Sequence, residues 1–186
     1  MEEELRQVTS NCIRVCLIGP ESSGKSTLSR KLAQHYNAPL VLEYARQYLQ
    51  DLWDTEQKIC RPMDLLPIAK GQMKLENAAI ANATNLVICD TDLLTTKIYS
   101  EAYYDGWCPE LLEKMALENT YDLYLLTYID TPWEKDDLRD RPERREEMFN
   151  YFKHTLEKYK KPFILVKGTV PERMKTATTS INTLLV

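Results

Sequence analysis

No stretch of this chain approaches the ~18 consecutive apolar residues that cross a bilayer as a helix, so no membrane span is expected. The N-terminus, Met-Glu-Glu-Glu-Leu, lacks the basic start and apolar run of a secretory signal. An excess of positive charge is also missing. The formal net charge is -4, so no global field draws in nucleic acid, and a polynucleotide partner is disfavoured. Cysteine is sparse: five residues, at 12, 16, 60, 89 and 108. The odd count, with Cys16 and Cys89 inside apolar runs, argues for reduced thiols in a cytoplasmic protein. No Cys-x-x-Cys pair or Cys/His cluster suggests zinc. The two histidines, His35 and His154, fall on expected helices without a metal-ligating partner. Internal repeats and low-complexity tracts are absent. What remains is an ordinary globular composition, 44% hydrophobic over 186 residues, which suits one domain with a sizeable core. Oligomeric state has no signature here.

The most informative segment present is Gly19-Pro20-Glu21-Ser22-Ser23-Gly24-Lys25-Ser26-Thr27. It matches the P-loop pattern: Gly, four free positions, then Gly-Lys-Ser. Ile13–Ile18 before it reads as a buried strand, and Thr27–Tyr36 after it as a helix with Leu28, Leu32 and Ala33 on one face. Strand, glycine-bounded loop and helix together cup a phosphate chain. The glycines allow the backbone to curl its N–H groups inward. Gly19, Glu21, Ser22, Ser23, Gly24, Lys25, Ser26 and Thr27 are therefore expected to hold ATP. Lys25 would reach the β- and γ-phosphates, and Ser26 would ligate Mg²⁺.

The remaining chain alternates strands and helices. Strands are expected at 39–42, 86–90, 122–127 and 162–166. Helices are expected at 44–53, from Asp64 as N-cap to about 83, at 93–104, 109–118, 148–160 and 171–185. This order predicts an α/β fold, a five-stranded, mainly parallel sheet with helices on both faces. Ligands then gather at the carboxyl ends of the strands.

Three acids stand at such ends. Asp90 closes an apolar strand, as a Mg²⁺-anchoring acid does in P-loop proteins; a helix cap is the blander alternative. Asp92, two residues on, can share metal and substrate work with it. Glu43 closes the second strand, where a carboxylate can accept the proton of an attacking hydroxyl; a salt-bridged strand terminus is the alternative. Arg46, one turn on, binds substrate or pairs with Glu43. Residues 131–147 are dense in both signs of charge and read as a solvated lid. Arg139, Arg141, Arg144 and Arg145 are its arginines, and one of them, with Arg139 and Arg145 foremost, would stabilise charge on a transferring phosphoryl group. Pro132 and Trp133 precede it as a hinge, a clasp for a base, or simple packing.

Beyond the loop, Glu43-Tyr-Ala-Arg46, Gly71-Gln72, Asp90-Thr-Asp92 with Thr95-Thr96, and Thr131-Pro-Trp133 before Asp137 and Arg139 resemble the ribosylnicotinamide kinase domain of NadR-type proteins, over about residues 13–166. The resemblance implies a nucleoside-kinase-like P-loop NTPase fold of three layers with a lid. It implies ATP- and Mg²⁺-dependent phosphorylation of the 5′-hydroxyl of nicotinamide riboside. It also implies a small-molecule nucleoside as the partner, with Glu43, Arg46, Gln72 and Asp92 as substrate contacts. Either Glu43 or an acid of the Asp-Thr-Asp element is then base or ribose ligand. Gln72, Tyr99, Tyr103, Tyr104 and Trp107 are candidates for the pocket of the base. The His-x-Gly-His motif of the adenylyltransferase portion of such proteins is missing, so adenylyltransferase and repressor activities are not expected. Two other readings share the P-loop: an ATP-hydrolysing switch or AAA-like ATPase, and a polynucleotide 5′-hydroxyl kinase.

Overall fold

The computed structural model describes residues 1–134 and 142–186. Its centre is β1 (Ile13–Ile18), which pairs in parallel with β3 (Leu86–Asp90) on one side and β4 (Leu123–Thr127) on the other. The two-residue β2 (Leu40–Val41) extends the sheet beyond β3, and β5 (Phe163–Val166) extends it beyond β4. The order is β2-β3-β1-β4-β5, parallel throughout. A parallel strand needs a crossover on a face of the sheet, and the intervening helices provide it.

Alternation along β1 assigns the two faces. Cys16 and Ile18 point to one core, Val15 and Leu17 to the other, and all four are fully buried. The first core is covered by α3 (Leu65–Ala81), α4 (Leu93–Tyr103), α5 (Glu110–Glu118) and α6 (Arg145–Lys158). The second is covered by α1 (Lys25–Tyr36) and α7 (Val170–Leu184), through Leu28, Leu32, Ala177 and Ile181. The expected three-layer sandwich is therefore present. The remaining helix, α2 (Tyr44–Glu56), buries only Leu52 fully and turns much of its surface to a cavity. All five cysteines are free, and no described helix is long and apolar enough to cross a membrane.

Several boundaries differ from the sequence expectation for local reasons. The helix after the phosphate loop starts at Lys25, because Gly24 takes the left-handed conformation (φ 83°) as its N-cap. Asp64 stands at the start of α3 but makes no side-chain cap bond there. Its carboxylate instead accepts from the backbone and guanidinium of Arg61 and from the Tyr48 hydroxyl, fixing the preceding 3-10 turn Pro62–Asp64. The helix expected from Met148 begins at Arg145. Arg145 is thus a helical residue and not part of an irregular lid.

Candidate active site

The loops that follow the strands converge on one cavity of about 830 Å³, lined from Glu21 to Leu28, at Glu43, at Thr91, at Thr131 and at Gly168. The crevice lies where order reverses around β1, with β3 to one side and β4 to the other. Every strand contributes its C-terminal end or the turn after it.

The phosphate loop is held by its own side chains. Lys25, 8% exposed, donates from Nζ to the carbonyls of Gly19 (2.8 Å) and Pro20 (2.7 Å). Ser23 donates to the Pro20 carbonyl at 2.7 Å, and its hydroxyl lies 2.6 Å from that of Thr127. Gly19 is required by close approach: a Cβ there would sit 2.6 Å from Thr127 Oγ1 and 2.9 Å from the Thr127 carbonyl, at φ 145°. The residues from Glu21 to Thr27 all line the cavity, and Gly19 lies against β4 beneath the loop.

Ser22, at φ 55°, joins the loop to the segment after β4. Its carbonyl accepts from Thr131 Oγ1 (2.6 Å) and from Arg145 Nη2 (3.0 Å), and its Oγ accepts from the Glu134 N–H (2.9 Å). Arg145 also donates to the Thr131 carbonyl (3.1 Å) and lies 5.6 Å from the Trp133 ring. Burial pulls its pKa down, and its Nε has no hydrogen-bond partner among the described residues. Arg145 does not line the large cavity, but with Arg144 it lines a small adjoining one that shares Glu21, Tyr99 and Tyr103 with it. Its guanidinium is held against the phosphate loop by the Ser22 and Thr131 carbonyls. Arg144 is engaged with Glu147 at 2.6 Å. Arg139, Arg141 and Asp137 lie outside the described residues.

The Asp90-Thr91-Asp92 element is split by its middle residue. Thr91 adopts φ 73°, a strained conformation for a β-branched side chain. Asp90 ends β3, is 2% exposed, and its Oδ1 has no hydrogen-bond partner among the described residues. Asp92 turns inward as the N-cap of α4. Its Oδ1 accepts from Thr95 N (2.9 Å) and Thr95 Oγ1 (3.1 Å), and its Oδ2 from the Tyr124 hydroxyl (2.8 Å). Burial raises its pKa despite these bonds. Thr91, Thr95 and Thr96 line the cavity; Asp90 and Asp92 lie behind that lining. In this structure the two Asp92 oxygens are engaged away from the cavity, Oδ1 by the helix cap and Oδ2 by Tyr124.

Glu43 and Arg46 both line the cavity. Glu43 is the N-cap residue of α2 in extended conformation, without a side-chain cap bond. Gln72 is 2% exposed; its Oε1 accepts from Tyr44 N (2.8 Å) and its Nε2 donates to the Leu42 carbonyl (3.3 Å). Its amide thus serves the main chain, although the residue borders the cavity. The apolar end holds Tyr99, Tyr103 and Tyr104 with Leu49, Trp53 and Ile68. Burial, with the Glu21 and Glu43 carboxylates nearby, pushes the Tyr99 phenol well up. Trp107, also expected here, is 49% exposed, lies outside the lining and meets the Tyr104 ring edge-on.

Arg173 was not foreseen. On α7, 2% exposed, it lines the cavity and donates to the carbonyls of Ser23 (2.6 Å), Gly168 (2.9 Å) and Tyr128 (3.1 Å) and to Asp130. The only local signal is the capping box Thr169…Glu172, which fixes where α7 starts and hence which residue reaches the loop from its first turn. Among the described residues no group of three His, Cys, Asp or Glu side chains is arranged to hold a metal. A Mg²⁺ bound mainly by phosphate and water needs only one or two protein oxygens, and Asp90 with Ser26 fits that need.

Comparison with known proteins identifies the fold and the family. The chain is 33% identical over 125 residues to the trifunctional NAD biosynthesis/regulator protein NadR of Salmonella typhimurium, covering 67% of this chain and 30% of that protein. The chain thus spans under a third of that relative's length. Among solved structures, a NadR protein in complex with NR superposes with a TM-score of 0.72 at 24% identity, covering 85% of this chain and 46% of the other. Deoxyadenosine kinase from M. mycoides gives 0.67 at 16% identity, covering 92% and 100%. These likenesses identify the fold as that of the P-loop nucleoside and nucleotide kinases. The sequence family AAA_28, described as an AAA domain, matches residues 14–173, and this chain belongs to it.

Proposed function

We propose that this chain is an ATP-dependent nucleoside kinase whose acceptor is the 5′-hydroxyl of nicotinamide riboside or a closely related nucleoside. One observation carries the reading: a single cavity of about 830 Å³ is lined by the phosphate loop, by Glu43 and by three tyrosines. Its volume falls in the range of small-molecule sites. The likeness to NadR, including its complex with NR, supports the choice of nucleoside.

In this reading Lys25 exchanges the carbonyls of Gly19 and Pro20 for phosphate oxygens of ATP, and the loop N–H groups and the start of α1 hold the rest of the chain. The base stacks among Tyr99, Tyr103 and Tyr104. Glu43 accepts the proton of the 5′-hydroxyl as its oxygen bonds to the γ-phosphorus; the bond from that phosphorus to the β,γ-bridging oxygen breaks, and ADP leaves. Arg46 contacts the nucleoside, and Arg139 is the lid arginine put forward for the transferring group. Asp90 Oδ1 and the Ser26 hydroxyl would hold Mg²⁺, which when bound neutralises charge on the phosphates. Free thiols in all five cysteines suit a cytoplasmic protein.

A phosphotransfer assay with MgATP against nicotinamide riboside, adenosine, cytidine, uridine and thymidine, with a no-acceptor control, tests this. Selective formation of nicotinamide mononucleotide is expected. Activity on another nucleoside would replace the substrate and keep the chemistry. ADP release independent of every acceptor would replace the kinase by an ATPase.

A further inference from the structure

We propose that Gln72 is a positioning residue for Glu43, fixing the carboxylate from the middle of α3 by clamping the main chain on both sides of it. This rests on the reading of Glu43 as the base. The sheet cannot do the fixing. β2 is only Leu40–Val41, an edge strand paired with β3 at two positions, and it ends before Glu43. Glu43 then lies between the end of a short edge strand and the start of a helix, where backbone is ordinarily soft.

One side chain bridges that junction. Gln72 Oε1 accepts from the N–H of Tyr44, and Nε2 donates to the carbonyl of Leu42. These are the two main-chain groups that flank Glu43. The amide orientation is unambiguous, since a backbone N–H can bond only its oxygen. The bond also satisfies one of the orphan donors at the start of α2 without help from the Glu43 carboxylate, which makes no cap bond of its own. A second tie comes from Gly71. Its ideal Cβ would fall 2.0 Å from Tyr44 Cε1, so the ring rests directly on the α3 backbone. Gln72 is itself anchored, because Ile68, Ala69 and Met73 beside it are buried in the core. The clamp therefore refers the position of Glu43 to the rigid interior and not to the sheet edge.

The test combines kinetics with amide exchange, using the full chain, MgATP and nicotinamide riboside. Gln72→Leu removes both bonds at similar volume. Gln72→Glu keeps the acceptor and loses the donor, and serves if the leucine variant does not fold. Each is measured alone and with Glu43→Gln. Loss of alignment is expected to lower kcat by about a hundredfold while KM for ATP stays constant. In the Glu43→Gln background the same change is expected to cost little more, because the group being positioned is already disabled. Exchange of the Tyr44 amide should quicken in Gln72→Leu, which removes its acceptor, and less in Gln72→Glu, which keeps it. A loss that multiplies independently with that of Glu43→Gln, or a raised nucleoside KM at unchanged kcat, would overturn the positioning role and make Gln72 a substrate ligand. Unchanged exchange of the Tyr44 amide in Gln72→Leu would overturn the clamp by itself. If the unaltered chain phosphorylates no nucleoside, the kinase reading fails while the exchange result still decides the clamp.

Discussion

Arg173 Nη1 donates to the carbonyl of Ser23 at 2.6 Å, so the last helix of the fold holds the phosphate loop in shape. The same guanidinium spans Gly168, Tyr128 and Asp130, linking the turns after β4 and β5 to the loop after β1. Arg173→Ala would take the cationic partner from the solvent-accessible Asp130 carboxylate and from three carbonyls, of which Ser23 belongs to a buried residue. A loss of about 1–3 kcal/mol is expected for the hydrogen bonds to a charged group that disappear. Arg173→Lys keeps the charge but cannot span the same fork. It should fold and raise KM for ATP more than KM for the nucleoside, read by steady-state kinetics on both substrates.

The Asp130 partner gives this latch a pH signature. Burial alone would raise the Asp130 pKa, but the Gly168 N–H and the Arg173 guanidinium hold it below the usual carboxylate value. A depressed carboxyl contributes stability that is present above its unfolded pKa of about 3.9 and is lost as pH falls through the lower folded value. Asp130→Asn should therefore cost stability near neutral pH and progressively less toward acid. Denaturant midpoints of the two proteins, followed below about pH 4, should converge; a constant gap would separate Asp130 from the titration.

Among the three acids expected at one crevice, Asp92 is set apart by the Thr95 and Tyr124 bonds that its oxygens make. Glu43→Gln should retain ATP binding and lower turnover by about 10²–10⁴-fold. Asp92→Asn should leave turnover close to that of the unaltered protein, because its oxygens serve Thr95 and Tyr124 and not the cavity. Asp92→Ala should instead cost about 1–3 kcal/mol through the lost cap and the unpaired Tyr124 hydroxyl. Asp90→Asn should raise the Mg²⁺ concentration needed for half-maximal rate. Loss of turnover in Asp92→Asn with Glu43→Gln unaffected would exchange the two roles.

The legible parts of this molecule are those written in local periodicity. β1 and β3 fall at the expected residues because unbroken apolar runs bounded by turn residues have one buried reading. The phosphate loop was legible because its glycines answer a backbone demand, such as the 2.6 Å approach of Gly19 to Thr127. The placing of Asp92 was not legible, because a carboxylate two residues past a strand looks the same whether it faces ligand or caps a helix. The φ of 73° at Thr91 decides between them, and no local rule predicts it. Arg173 was missed because its partners are 150 positions away at Ser23 and 43 at Asp130, contacts that exist only once the sheet is assembled.

Gly71 and Tyr44 test whether that assembly is as tight as the geometry implies. A methyl group at Gly71 would meet Tyr44 Cε1 at 2.0 Å, Cδ1 at 2.2 Å and Cζ at 2.4 Å, well inside contact. The ring must leave the face of α3 or the helices must part. Gly71→Ala should therefore destabilise by about 1–3 kcal/mol, despite alanine's better helix propensity, because overpacking outweighs the gain of about 1 kcal/mol. Tyr44→Leu should relieve the clash, so the double variant should be more stable than Gly71→Ala alone. Thermal melts of the four proteins give that coupling directly. A Gly71→Ala variant more stable than the starting protein would mean that the Tyr44 ring does not rest on α3.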